Sequence, residues 1–332
     1  MPKVILIQQV YNSRRYVPQV YGAIAAQTFK DMEIVAQIVS DDGGCKEYIE
    51  RHYPQVKILE PGYNIGFARG HNEIFASTDA EIYQLVNPDL ILTPTFVEEI
   101  VRAFADPKVG SVAGKLLRYD FSANKATNTI DATGVTISRS GGGRARGQHQ
   151  EDRGQFDGDN RIIGPDGAAA AYRKAALQSV KYRRPDGRYE YFDEDMHSYW
   201  EDVDLSWRIV NAGWQTRFAP RAVAYHGRVA ASSPGGYGKI FAFIKHHKAI
   251  PARIRQLNYK NHIYMFIKNA PRWYWQFFAR ELFYHIYVLL VEPGTFKVWP
   301  EFWRGLKLMF AKRKFIQSQR KISVEQAEQL LS

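Results

Sequence analysis

Apolar and polar positions follow two alternating periods along the first 117 residues. Val4–Val10 is a short apolar run and reads as a buried strand. Val17, Val20, Ile24 and Ala25 follow at helical spacing, with Ser13 placed to cap them. Residues 33–39 form a β-branched run closed by the turn cluster Ser40-Asp41-Asp42-Gly43-Gly44. A third strand over 56–59, a helix over 66–77 and a strand over 81–86 come next, the last running into Asn87-Pro88-Asp89. Thr93-Pro94 opens a helix with Phe96, Val97, Ile100, Val101 and Phe104 on one face, and residues 109–117 return as a strand. This rhythm predicts an α/β fold, a Rossmann-like parallel sheet with helices on both faces. Periodicity fades from about Arg118 to Asn160, where loops and short strands are expected. It resumes at Tyr199-Trp200-Glu201-Asp202-Val203-Asp204-Leu205-Ser206-Trp207-Arg208, a helix start with Asp202, Leu205 and Ile209 at helical spacing and Gly213 as its stop.

Composition narrows the class. A chain of 332 residues with 45% hydrophobic content suits one large α/β domain with an appendage, or two domains. The single Cys45 excludes an intramolecular disulfide and any multi-cysteine zinc site. Val4–Val10 lacks a following small-residue cleavage site, so no signal peptide is expected and a reducing cytoplasm fits. The net charge of +11 is unevenly spread: residues 239–332 hold 17 Lys and Arg against 5 Asp and Glu, and the first 238 residues are close to neutral. That boundary predicts a division of labour between a near-neutral catalytic part over 1–238 and a basic, aromatic part over 239–332.

In open α/β sheets ligands bind beyond the carboxyl ends of the strands. Asn12, Asp41, Asp42 and Asp89 each follow a predicted strand and are expected to converge on one edge. A carboxylate there, stiffened by Pro88, suits a hard divalent cation gripping a diphosphate. Glu201, Asp202 and Asp204 at a helix start are equally what the macrodipole favours, so on their own they divide between capping and chemistry. The segment from Ser140 to Gly147 lacks the Gly-Lys-Ser/Thr ending of a phosphate-binding loop and reads as mobile, with Arg144 and Arg146 able to close over phosphates.

Taken together, Val10-Tyr11-Asn12-Ser13, Gln27-Thr28, the stretch from Asn64 to Asn72, Asn87-Pro88-Asp89, Gly167-Ala168-Ala169, Phe192-Asp193-Glu194, Glu201-Asp202-Val203-Asp204 and His226 resemble family 2 of the inverting glycosyltransferases, whose fold is GT-A. The subgroup that looks nearest is the rhamnosyltransferases acting on polyprenyl-diphosphate-linked sugars. The resemblance implies that Asp89 and His226 hold Mg2+ or Mn2+, and that Asn12, Asp41 or Asp42, Arg69, Asn72 and Asn87 contact the nucleotide-sugar donor. It further implies that Asp202 is the catalytic base, that Glu201 orients it or the acceptor, and that Trp200 offers a face to the acceptor sugar. The implied donor is dTDP-rhamnose, with UDP-hexoses as the alternative, and the implied role is cell-surface polysaccharide synthesis. The Gln-x-x-Arg-Trp of processive members is missing, since Gln276-Phe277-Phe278-Ala279-Arg280 has the wrong spacing, so addition of one or a few sugars is expected.

The basic part carries two aromatic helices at amphipathic spacing, over 273–291 and 296–314. Arg280, Glu281 and His285 exclude a membrane span for the first, since each such charge at a bilayer centre costs about 2.5–3.5 kcal/mol. Peripheral attachment to the inner face of the plasma membrane is the expectation, with packing on the catalytic part or in a homodimer as the alternative. A nucleic-acid partner is disfavoured because the aromatics keep a helical period.

Overall fold

The computed structural model describes residues 2–11, 13–39, 43–227 and 250–331; the candidate donor contacts Asn12, Asp41 and Asp42 lie outside them. The sheet portion runs β1 (Val4–Val10), α1 (Val17–Ala25), β2 (Met32–Ile38), α2 (Cys45–His52), β3 (Lys57–Leu59), α3 (Phe67–Ser77), β4 (Ile82–Leu85), β5 (Leu90–Leu92), α4 (Phe96–Ala103) and β6 (Val109–Asp120). It continues through β7 (Lys125–Ala132), β8 (Val135–Ile137), β9 (Gly143–Ala145), β10 (Ala171–Arg173), α5 (Lys174–Val180), β11 (Tyr182–Arg183), β12 (Tyr189–Glu190), α6 (Glu201–Asn211) and β13 (Gln215–His226). Four helices follow: α7 (Ala252–Asn269), α8 (Trp275–Val291), α9 (Trp299–Ser318) and α10 (Val324–Gln329).

The central sheet has the order β3-β2-β1-β4-β10-β6-β13-β5, with β7 on β6. The expected parallel arrangement holds for β3, β2, β1 and β4 and for the β6–β13 pair. It breaks at β10, which inserts antiparallel between β4 and β6, and at β5 and β7, which pair antiparallel with β13 and β6. Residues 168–171 are four successive buried alanines, so β10 carries neither alternation nor a β-branched run to announce it.

Helices cover both faces. One core joins α1, α2 and α4 to the sheet through Val20, Ile24, Ile49, Phe96 and Ile100; the other joins α3, α5 and α6 through Ile74, Phe75, Leu177, Leu205 and Ile209. A third cluster extends the second outward: Trp207 and Val210 of α6 pack on Ile263, Phe266 and Ile267 of α7. The C-terminal helices therefore continue the hydrophobic core rather than trailing from it. The segment expected to be a mobile glycine loop is instead a hairpin in which β9 pairs β8. Arg146 is buried there, its guanidinium donating to the carbonyls of Thr133 and Asp159, so it is not available to close over a phosphate.

Candidate active site

Because β1, β2 and β4 run parallel, Tyr11, Val39 and Asn87-Pro88-Asp89 leave the sheet at one edge, and a cleft of about 1370 Å3 opens beside them. Its far wall is the turn over 194–200, the first residues of α6, and side chains of α7 and α9. Asp89, His226, Trp200, Glu201, Asp202 and Asn87 all line this one space.

The β5–β13 pairing sets Leu90 opposite His226 and so brings Asp89 to the imidazole. Asp89 Oδ1 lies 3.3 Å from His226 Nε2, while His226 Nδ1 is 2.8 Å from Oδ2 of the fully buried Asp131. Burial alone would raise the Asp89 carboxyl, but the hydrogen bond and charge of His226 outweigh it and hold it below the ordinary value. Burial likewise opposes the imidazolium, yet the two flanking carboxylates push His226 up to about 10. An oxygen and a nitrogen at this spacing match two ligands on adjacent corners of a shell with bonds of about 2.1–2.3 Å. A buried carboxylate on the second ring nitrogen is also the usual support of a metal-ligating histidine. The donor set fits a divalent cation that displaces the Nε2 proton of the imidazolium, since a ligating histidine binds in its neutral form.

A second acidic group does not. The carboxylates of Glu190, Asp193 and Asp195 lie within 4.8 Å of one another. However, Lys312 Nζ sits 2.5 Å, 2.6 Å and 2.8 Å from the three, and Lys268 pairs with Asp193 as well. Ammonium groups fill the place a cation would take.

Asp202 stands in the first turn of α6, where Oδ2 accepts the Gly167 N–H and Oδ1 accepts its neighbour Val203 N–H, both at 2.8 Å. Burial, with the charge of Asp166 added, pushes its carboxyl up to about 6 despite those bonds. A carboxylate at that level is ionised at neutral pH and a better proton acceptor than an ordinary aspartate. Glu201 is buried with Oε2 unbonded, and burial, with the charge of Asp202 added, holds its carboxyl well above the usual range. Asp204 is no helix cap: fully buried, it pairs with Arg208 at 3.0 Å and Lys268 at 2.8 Å, tying α6 to α7.

Two expected donor contacts fall elsewhere. Phe67 and His71, one turn apart on α3, are the positions of that helix that face the cleft. Arg69 and Asn72 therefore sit off that face. Arg69 pairs with Glu73 at the surface, and Asn72 is buried, accepting the N–H groups of Tyr191 and Phe192 and donating to the Phe192 carbonyl. In the other direction, the cleft recruits Lys260, and with it Gln9, Asp166, His197, Tyr264 and Glu301, which the sequence reading did not single out. Asp166 had one legible signal, an Asp before Gly167-Ala168-Ala169, whose turn it caps. Glu301, ion-paired with Lys260 across α7 and α9, had none.

The sequence profile described as Glycosyl transferase family 2 matches residues 6–180, more than half of the chain. The chain belongs to this family. Its relatives include an uncharacterized glycosyltransferase of Haemophilus influenzae, 28% identical over 30% of this chain and 32% of that protein. An N-acetylglucosaminyltransferase of Sinorhizobium fredii is 25% identical over 71% of this chain and 55% of that protein. A pre-mycofactocin glycosyltransferase of Mycobacterium tuberculosis is 25% identical over 57% of this chain and 37% of that protein. The chain thus spans about a third to just over half of the length of these curated relatives. In architecture, residues 1–349 of S. aureus TarS superpose with a TM-score of 0.50 at 12% identity, covering 98% of this chain and 89% of that one. The fold of this family 2 glycosyltransferase is GT-A, with a C-terminal helical region added.

Proposed function

We propose that this family 2 glycosyltransferase is a metal-dependent inverting enzyme that moves L-rhamnose from dTDP-rhamnose onto a lipid-linked glycan acceptor. The observation that carries the reading is one cleft holding both a cation-competent pair, Asp89 and His226, and a carboxylate poised near neutrality, Asp202. Asp202 takes the proton from the acceptor hydroxyl as that oxygen attacks the anomeric carbon on the face opposite the leaving diphosphate. The Gly167 N–H keeps the carboxylate aimed, and Glu201, buried next to it, orients the base or the acceptor. Asp89 and His226 would hold Mg2+ or Mn2+, which would supply positive charge to the departing nucleoside diphosphate. Trp200 presents a ring to the acceptor, and Asn87, with Asn12 and Asp41 or Asp42, serves the donor.

In this reading residues 1–238 form the catalytic unit of a cell-surface polysaccharide pathway, and 239–332 bring it to the inner leaflet, where a polyprenyl-diphosphate-linked acceptor is presented. Among the described residues no helix is long and apolar enough to cross a membrane. UDP-hexose transfer by the same cleft is the second reading, favoured by the similarity to an N-acetylglucosaminyltransferase.

A screen of nucleotide sugars with Mn2+ or Mg2+, read as nucleoside diphosphate release, tests the class and the donor together. Asp202→Asn is expected to lower transfer at least 1000-fold, roughly the loss associated with a general base and its alignment, while the donor still binds. Normal turnover by that variant would remove Asp202 from the mechanism.

A further inference from the structure

The turn over 196–200 delivers Glu201 and Asp202 to the cleft, and three of its five residues hold an uncommon backbone. His197, Tyr199 and Trp200 have φ of 63°, 71° and 72°, and none is glycine, asparagine or aspartate. Side-chain-bearing residues avoid this region because Cβ crowds the following carbonyl. Such a conformation persists only where its surroundings over-determine it.

The surroundings come from α7. Asn261, fully buried, donates from Nδ2 to the carbonyls of Met196, Ser198 and Tyr199 at 2.8, 2.9 and 2.9 Å. Just under one turn earlier, Asn258 Oδ1 accepts the Trp200 indole N–H at 3.1 Å. Glycines close the other side: a Cβ on Gly66 would lie 2.5 Å from the His197 ring, and one on Gly143 2.8 Å from the Trp200 ring. The Asp204 N–H bonds the Trp200 carbonyl at 2.9 Å, so the strained turn is joined directly to the first turn of α6 that carries Asp202.

We infer that Asn261, supported by Asn258, is a positioning residue for sugar transfer. By gathering three carbonyls on one amide it holds the turn in its positive-φ form, and the turn in turn fixes the entry of α6 and the Asp202 carboxylate against Gly167. If the turn relaxes, the chain enters α6 in another direction and the base loses its aim. The inference rests on Asp202 being the base, and it makes the C-terminal helices part of the catalytic apparatus rather than only an attachment.

The test uses the full chain with Asn261→Ala, the isosteric Asn261→Asp, and Asn258→Ala, which removes the indole bond and a donation to the Ile254 carbonyl within α7 but leaves the three turn carbonyls on Asn261. Two measurements are made: hydrogen exchange of the amides over 197–203, and nucleoside diphosphate release from dTDP-rhamnose and UDP-glucose with Mn2+ across pH. Asn261→Ala is expected to speed exchange over 197–203 at least tenfold while amides of α9 stay as in wild type. Its kcat should fall about 10- to 100-fold with donor KM within about twofold, and the acid limb of kcat should move, because the field around Asp202 changes. Asn261→Asp, which cannot donate to the carbonyls, should match or exceed that loss, and Asn258→Ala should show a smaller version of it. Wild-type exchange over 197–203 in the Asn261 variants, or equal kcat, overturns the inference. So does a loss of kcat and KM together with faster exchange throughout, which is what mere destabilisation gives; Asn258→Ala decides the matter if the Asn261 variants do not fold. If the wild-type chain releases nucleoside diphosphate from neither donor when a polyprenyl-diphosphate-linked sugar is supplied as acceptor, the rhamnosyl and glucosyl readings of the proposed function fail, and this is visible before any variant is made.

Discussion

At the scale of single residues, the role proposed for Asp202 predicts the pH behaviour. Its carboxyl stands near 6 because burial opposes the charged form and Asp166 adds a like charge. The base must be ionised to work, so kcat should fall about tenfold per pH unit below roughly 6. Asp166→Asn keeps a side chain that caps the 167–169 turn but removes the charge, and the acid limb should then move to lower pH. A limb that stays in place would assign it to another group. Stability carries the opposite sign to the usual aspartate. A carboxyl raised on folding contributes stability below its unfolded value of 3.8, and that contribution is lost as pH rises through about 6. The unfolding free energy of Asp202→Asn relative to wild type should therefore rise by roughly 2–3 kcal/mol between pH 4 and 6.5, as chemical denaturation would measure. Residues of this kind were legible because a carboxylate keeps its neighbours in sequence: Asp89 follows a strand and Asp202 opens a helix wherever the rest of the chain goes. Arg69 and Asn72 were misread because helix phase decides which side chains reach a cleft, and the phase of α3 is fixed by what it packs on.

At the scale of elements, α6 is held from behind by charges the sequence did not pair. Lys268 of α7 and Lys312 of α9 enter a buried acidic pocket made by Glu190, Asp193, Asp195 and Asp204. Burial would raise the Asp193 carboxyl, but the two ammonium groups outweigh it and keep it ionised well below the usual range. Burial lowers and the surrounding carboxylates raise Lys312, with the carboxylates prevailing. Removing one partner of such a group leaves uncompensated buried charge. Lys312→Met should thus cost about 3–5 kcal/mol in urea denaturation; a loss near that of an exposed ion pair, under about 1 kcal/mol, would show that water enters the pocket. The helices expected over 273–291 and 296–314 are present as α8 and α9, α7 had not been anticipated, and the lysines of this part read in the sequence mainly as surplus positive charge. Which of them turn inward depends on acids more than 40 residues away in the chain, and no local pattern carries that.

At the scale of the whole molecule, the strand order was the hardest to read, since β10 joins the two halves of the sheet through a run of alanines with no strand period. The charge boundary near residue 239 was plain, and the structure gives it a physical sense. Arg280 and Glu281, whose charges spoke against a membrane span, belong to the inner side of α8: Glu281 is buried against His262 of α7 at 2.9 Å and pairs with Arg280. What remains outside is apolar. Trp275, Phe278, Leu282, Phe283, Ile286 and Leu290 recur at three- and four-residue spacing and are between 45% and 75% exposed. Lys297, Arg304 and Lys307 are exposed on the neighbouring segment, as an anionic lipid surface would require. If this face lies in lipid, the full chain should float with phosphatidylglycerol-containing vesicles at low salt, and less at high salt because the basic residues are screened. Phe283→Glu with Leu290→Glu should abolish flotation yet leave nucleoside diphosphate release in solution within about twofold, because neither residue lines the cleft. The competing occupant is a second copy of the chain. In that case wild type would sediment as a dimer, the double variant as a monomer, and neither would float; that result would retire the membrane reading and leave the apolar face of α8 as a subunit interface.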